Sequence, residues 1–168
     1  HPLEDFDLFQ SFAVATRRKQ GLPTLDVLRF NGTSGLEPPV SISFPEPTYS
    51  AGQHINRVFT TDVYRYSYQS LVSPPSVYEY NIARQDPANP VGHSKLLKQQ
   101  EVPGGFDPAL YASERVWVDA PGGPSFPASS ERVGSSVRVP TSIVYRRDKF
   151  DREGTSPLYL YGYGSYGY

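Results

Sequence analysis

Val63-Tyr64-Arg65-Tyr66-Ser67-Tyr68-Gln69-Ser70-Leu71 is the stretch that decides the class of fold. Tyr64, Tyr66 and Tyr68 recur at period two, so in a strand all three rings face one side. Ser73-Pro74-Pro75 breaks the run, and Val77 to Ile82 makes another. Upstream, Arg57 to Thr61 continues the strand-like pattern. Val40-Ser41-Ile42-Ser43-Phe44 alternates strictly and is stopped by Pro45 and Pro47. Leu25, Val27, Leu28 and Phe30 form a run ended by Asn31-Gly32. The opening (Phe6, Leu8, Phe9, Phe12, Val14, Ala15) is aromatic and β-like, and the charged turn Arg17-Arg18-Lys19-Gln20-Gly21 separates it from that run. The pair reads as antiparallel neighbours. Short strands with turn signals between them, and almost no helical periodicity, leave a sandwich, a barrel or a propeller open. No internal repeat is sharp enough to choose among them.

The 168 residues carry a formal net charge of −1, which gives no electrostatic case for nucleic acid or an anionic membrane. No apolar run approaches the ~18 residues of a membrane helix. The start His1 to Phe9 has no basic region followed by an apolar core, the mark of a secretory signal. The chain has no cysteine, which removes disulfides, thiolate catalysis and thiolate metal sites, and fits a cytoplasmic protein. It also has no methionine, opens at His1 and closes in mid-motif at Tyr168, and so reads as a fragment of something longer.

Further along, Gln85 to Ser94 reads as a loop and Lys95 to Val102 as a closing edge strand. Gly104-Gly105-Phe106-Asp107-Pro108 has the look of a domain boundary. Tyr111 to Asp119 and Val137 to Arg146 read as two strands. Residues 120–136 between them, rich in Gly, Pro and Ser, read as a long loop. The last stretch, Pro157 to Tyr168, begins with the apolar and aromatic run Leu158-Tyr159-Leu160-Tyr161, a buried strand by its flanking breakers. It then enters Gly162-Tyr163-Gly164-Ser165-Tyr166-Gly167, where glycine permits a sharp turn and close approach to a ligand.

Ser165 is a poor nucleophile, because Tyr163 occupies the place where Gly-x-Ser-x-Gly needs its first glycine. His1, His54 and His93 lie in loop-like contexts without metal-ligand spacing and read as surface residues, so no metal or cofactor is expected. Glu4, Asp5 and Asp7 could hold a cation, but such acids more often solvate a strand edge. Arg17-Arg18-Lys19 and Arg146-Arg147 read as solvated faces. Trp117, between Val116 and Val118, reads as a core or domain-interface anchor.

Pro157 to Gly167, preceded by Val139 to Asp148, closely resembles the start of the peptidase domain in prolyl oligopeptidase-type serine peptidases. Ser165-Tyr166 is more similar to the oligopeptidase B branch. Leu3 to Phe9 and Glu101 to Asp107 extend the resemblance over most of the chain. It implies a mainly β chain: residues 1–107 as the terminal blades of a β-propeller, and 108–168 as the first strands of an α/β-hydrolase domain. It also implies hydrolysis of short peptides after Arg or Lys through an acyl-enzyme. The tyrosine matching Tyr163 donates its hydroxyl to the oxyanion, and the one matching Tyr166 lines the pocket for the residue before the scissile bond. The family's Ser, Asp and His lie beyond Tyr168, so these 168 residues alone should be inactive. Tyr159 stands where a small aliphatic is usual and Tyr168 where alanine is common, while 120–136 is an insertion of no assigned role. The rival expectation is a non-catalytic β-rich binding or scaffold protein derived from the same family.

Overall fold

A computed structural model describes residues 2–32, 35–84, 93–120 and 137–162. The strands are β1 (Leu3–Leu8), β2 (Phe12–Lys19), β3 (Leu22–Asn31), β4 (Gly35–Leu36), β5 (Val40–Ser41), β6 (Tyr49–Gln53), β7 (Val63–Ser70), β8 (Ser76–Asn81), β9 (Ser94–Gln99), β10 (Tyr111–Ala120) and β11 (Val137–Arg146). They form three antiparallel sheets. β1-β2-β3 is a meander that adds β5 on the far side of β3, with β4 a two-residue appendage. β6-β7-β8-β9 is a second four-stranded meander, and β10 pairs with β11 alone. The described residues contain no α-helix, only two 3₁₀ turns at Ile82–Arg84 and Pro108–Leu110.

Period-two placement decides which side of each sheet is buried. Val14 pairs with Asp7 and Val27, so these share a face with Phe12 and Leu25. On β7, Tyr64, Tyr66 and Tyr68 all point inward, as the spacing predicted, and Tyr64 sits opposite Tyr80. The two faces meet in one core: Phe12, Val14, Leu25, Val27 and Ile42 from the first sheet, and the β7 tyrosines with Tyr80 and Ile82 from the second. Phe44 joins it by stacking on Tyr68 at 5.4 Å and meeting Tyr66 edge-on at 5.8 Å. Such ring pairs contribute roughly 0.5–1.5 kcal/mol each beyond the area they bury.

Three sequence readings are corrected. Arg57–Thr61 is turn rather than strand, and the strand that pairs with β7 is Tyr49–Gln53. Asn56 explains why: its Nδ2 donates to the carbonyls of His54 (3.0 Å) and Arg65 (2.9 Å), and its Oδ1 accepts from Arg65 N. Those bonds fold the chain between β6 and β7 into a loop. Arg17 to Lys19 belongs to β2, and only Gln20 and Gly21 turn. Finally, Val40 to Phe44 pairs only through Val40 and Ser41, yet Ile42 is buried. Of the expected strand from Lys95 to Val102, Lys95 to Gln99 fall on the edge strand β9 and 100–102 lie beyond its end, while residues 85–92 of the expected loop before it lie outside the described residues.

Polar contacts tie the two meanders together where their rings end. Tyr64 donates to Asp7 Oδ2 at 3.1 Å, Gln53 donates to Asp5 Oδ2, and Arg29 donates to the Ile82 carbonyl at 2.6 Å. Glu4 pairs with Arg18 at 2.5 Å. The acids that might have held a cation thus each have a protein partner, and no metal-ligating cluster occurs among the described residues.

Burial raises the Asp7 pKa, Tyr64's hydrogen bond lowers it, and Asp5's charge raises it again, for a net rise above the ordinary carboxylate value. An acid raised in this way binds its proton more tightly when folded, so Asp7 favours folding when protonated and opposes it when ionised. Its contribution is fullest below the ordinary carboxylate value and is lost as pH climbs through the raised one. Asp7→Asn keeps an acceptor oxygen for Tyr64 without the charge. Its melting temperature should match that of the parent protein in acid and stand level with or above it at neutral pH. A variant clearly less stable at neutral pH would contradict this.

Candidate functional site at the ribbon and the approach to Tyr163

β10 and β11 run antiparallel over ten paired positions, from Tyr111 opposite Arg146 to Ala120 opposite Val137. Both were legible as strands, since Val116, Val118, Val139, Ile143 and Val144 suit a pleated, half-buried surface. Arg115, Trp117 and Asp119 pair with Ser142, Pro140 and Arg138 and so share one face. Part of that face meets the meanders. Ser142 and Thr48 hydroxyls are 2.6 Å apart, and Arg115 Nη2 donates to the Gln20 carbonyl. Beneath them lies Gly21, whose φ of +83° puts it in the left-handed region that side chains avoid. A Cβ there would stand 3.0 Å from Arg115 Nη2 and 3.7 Å from Pro140 Cγ. Gly21→Ala should therefore cost about 1–2 kcal/mol in backbone strain and weaken the ribbon's seat. A lower melting temperature with faster amide exchange in β10 and β11 would show it; unchanged exchange would refute it.

Trp117 is not a core residue, as it is 38% exposed and has the guanidiniums of Arg115 (5.9 Å) and Arg138 (5.7 Å) over its ring. The cation–π attraction of both guanidiniums stiffens the ribbon rather than filling a core. On the opposite face Tyr145 stacks on Phe150 at 4.0 Å and donates to Glu114, which raises the Tyr145 pKa. Arg152 reaches both Phe150 (5.7 Å) and Glu114 (3.8 Å), so the segment after β11 is folded back on the ribbon. Asp151 closes the next turn by accepting from Thr155 Oγ1 and from Glu153 N, which holds its carboxyl below the ordinary value.

From there the chain runs to the predicted site. Leu158 to Tyr161 is not a buried strand. It pairs with no strand among the described residues, and its side chains are 83%, 87%, 78% and 73% exposed. β10 and β11 form a two-stranded sheet of their own and offer this run no ladder. Tyr163 and Tyr166 lie outside the described residues, as do Ser165 and residues 121–136.

A hollow of about 910 Å³ lies against the second meander, where Ser50, His54, Ser67, Ser76, Lys98 and Glu101 are found. Serines and a histidine share it, but not as a nucleophile and its base. Ser67 Oγ donates to the Gly52 carbonyl (3.2 Å) and Ser76 Oγ to the Pro74 carbonyl (2.7 Å). His54, like its neighbours, stands exposed on a loop, while His93 meets the ring of Tyr80 edge-on. The described residues thus form a scaffold that delivers the chain to Gly162. Sequence reasoning missed Thr48, Gly21 and Arg115 as the ribbon's seat, although a glycine closing a charged run did signal the turn at Gln20-Gly21.

Comparison with known proteins accounts for the scaffold. Residues 1–89 match the prolyl oligopeptidase N-terminal β-propeller domain, and they take in the first meander and most of the second. The chain is 35% identical over 165 residues to dipeptidyl aminopeptidase BI of Pseudoxanthomonas mexicana, covering 98% of this chain and 19% of that protein. It is 29% identical over 126 residues to protease 2 of Moraxella lacunata, covering 75% of this chain and 15% of the relative. It therefore spans less than a fifth of the length of these curated relatives. Among solved structures, oligopeptidase B from Trypanosoma brucei, in a closed form with covalently bound antipain, superposes with a TM-score of 0.75. That alignment has 25% identity and covers 98% of this chain and 21% of the other. Oligopeptidase B from Leishmania major shares the fold, with a TM-score of 0.62 at 20% identity over 87% of this chain and 18% of its own. The two larger sheets belong to a propeller domain, and the chain belongs to the prolyl oligopeptidase family of serine peptidases.

Proposed function

We propose that this chain is the propeller-to-peptidase junction of a cytoplasmic serine oligopeptidase that cleaves short peptides after Arg or Lys. The observation that carries this reading is the order of parts along the chain. Two propeller blades are followed by a ribbon seated on them and then by an extended run into Gly162-Tyr163-Gly164-Ser165-Tyr166. In this reading residues 1–107 close the propeller, and 108–168 begin the α/β-hydrolase domain. The exposed Leu158 to Tyr161 run becomes a central strand there once neighbouring strands cover it. The covalently bound antipain in the trypanosomal relative supports attack by an enzyme nucleophile.

The chemistry is acyl transfer. Serine attacks the peptide carbonyl, the amine leaves with a proton from histidine, and water hydrolyses the ester. Tyr163 donates a hydrogen bond to the carbonyl oxygen as it gains negative charge, and Tyr166 packs against the aliphatic stem of the Arg or Lys side chain. No cofactor enters these steps. The test uses a longer chain that carries the family's Ser, Asp and His. An arginyl ester should give a burst of alcohol equal to the enzyme present, followed by a slower steady state. Turnover of Arg substrates with no burst and no covalent adduct would remove the acyl-enzyme. No turnover of any peptide would favour a binding or scaffold role.

A further inference from the structure

The turn that ends β3 carries chemistry of its own. Asn31-Gly32 is the single Asn-Gly pair in the sequence, and both residues are exposed. The Asn31 side chain lies over Gly35, with Oδ1 3.2 Å and Cγ 3.6 Å from where a Cβ on that glycine would stand. Its amide makes no hydrogen bond to the described residues, whereas the other described asparagines are held. Asn56 makes three such bonds and precedes Arg57, and Asn81 Oδ1 accepts from Ala83 N and precedes β-branched Ile82. Gly32 is exposed, at φ +32°, with nothing within 4 Å of a would-be Cβ, so no neighbouring side chain crowds the Asn31–Gly32 step on that side.

We propose that Asn31 is a self-modifying site that converts to aspartate and isoaspartate in the folded protein. The Gly32 backbone nitrogen attacks Asn31 Cγ, a new N–C bond forms, and the Cγ–NH₂ bond breaks. Ammonia leaves with the proton that the Gly32 amide gives up, so the ring that forms is a succinimide. Water then opens either imide carbonyl, giving aspartate or, with one more methylene in the backbone, isoaspartate. No oxidant or cofactor is required. The consequence is local. β4 is held by only the pairs Phe30–Leu36 and Asn31–Gly35, and an extra backbone methylene at residue 31 puts that register out by one bond.

The experiment incubates the folded protein in mildly alkaline buffer and follows its peptides by mass, with a methyltransferase specific for isoaspartate as a second readout. The expected result is a gain of one mass unit in the peptide containing Asn31, divided between two isomers, while peptides containing Asn56 and Asn81 keep their mass. Asn31→Gln, whose longer side chain closes a six-membered ring much more slowly, should abolish the gain and the methyl acceptance. No gain, or a gain only in urea, would overturn the proposal, since the turn would then hold Asn31 out of reach of Gly32 N.

Discussion

Tyr64→Ala is expected to destabilise the protein by about 3–5 kcal/mol, the range for emptying a large aromatic site in a close-packed core. Tyr64 is fully buried, meets Phe9 edge-on at 6.0 Å, sits opposite Tyr80 and donates to Asp7 across the two blades. Burial, followed by the charge and hydrogen bond of Asp7, pushes its hydroxyl pKa far above the usual range, and at neutral pH it is a donor. Neighbouring rings separate packing from hydrogen bonding. Tyr64→Phe keeps the ring and leaves Asp7 without its donor, a loss of about 1–3 kcal/mol. The hydroxyls of Tyr68 and Tyr80 are buried without a partner among the described residues, so Tyr68→Phe and Tyr80→Phe should be neutral or stabilising. Urea denaturation of the four variants gives the order directly. A Tyr64→Ala loss below that of Tyr64→Phe would show that the blades do not meet through this ring.

The second large effect is on catalysis. In a chain that carries the family's Ser, Asp and His, Tyr163→Phe should lower kcat by about 100–1,000-fold, or about 2.7–4 kcal/mol, with little change in KM. In the proposed role the hydroxyl would meet a charge that exists only as the carbonyl becomes tetrahedral, so its removal would cost the transition state and spare the bound substrate. A KM that rises while kcat holds would make Tyr163 a binding residue. An unchanged kcat would remove it from the oxyanion site.

The blades were legible where one face is buried and the other wet. Tyr64, Tyr66 and Tyr68 announced β7, because period-two patterning is written by burial. Patterning failed where another force decides. Arg57 to Thr61 has strand-like composition, but the three hydrogen bonds of Asn56 fold it into a loop. Tyr49 to Gln53 holds small and polar residues whose inward positions are set by β7 rather than by their own hydrophobicity. Leu158 to Tyr161 has the composition of a buried strand, yet burial of a strand depends on neighbours that the described residues do not supply. The proposed site at Tyr163 and Tyr166 rests only on the resemblance of Gly162 to Gly167 to a family motif, since no local periodicity distinguishes an oxyanion donor from a loop tyrosine.

The most direct measurement compares two substrates of the full-length gene product: a short peptide with one internal Arg, and the same sequence displayed on a loop of a stably folded protein. The proposed function predicts that the short peptide is cut after Arg and the folded protein is left intact, since a complete propeller would admit only what can pass its blades. Equal cleavage of both, or cleavage of neither, would contradict it.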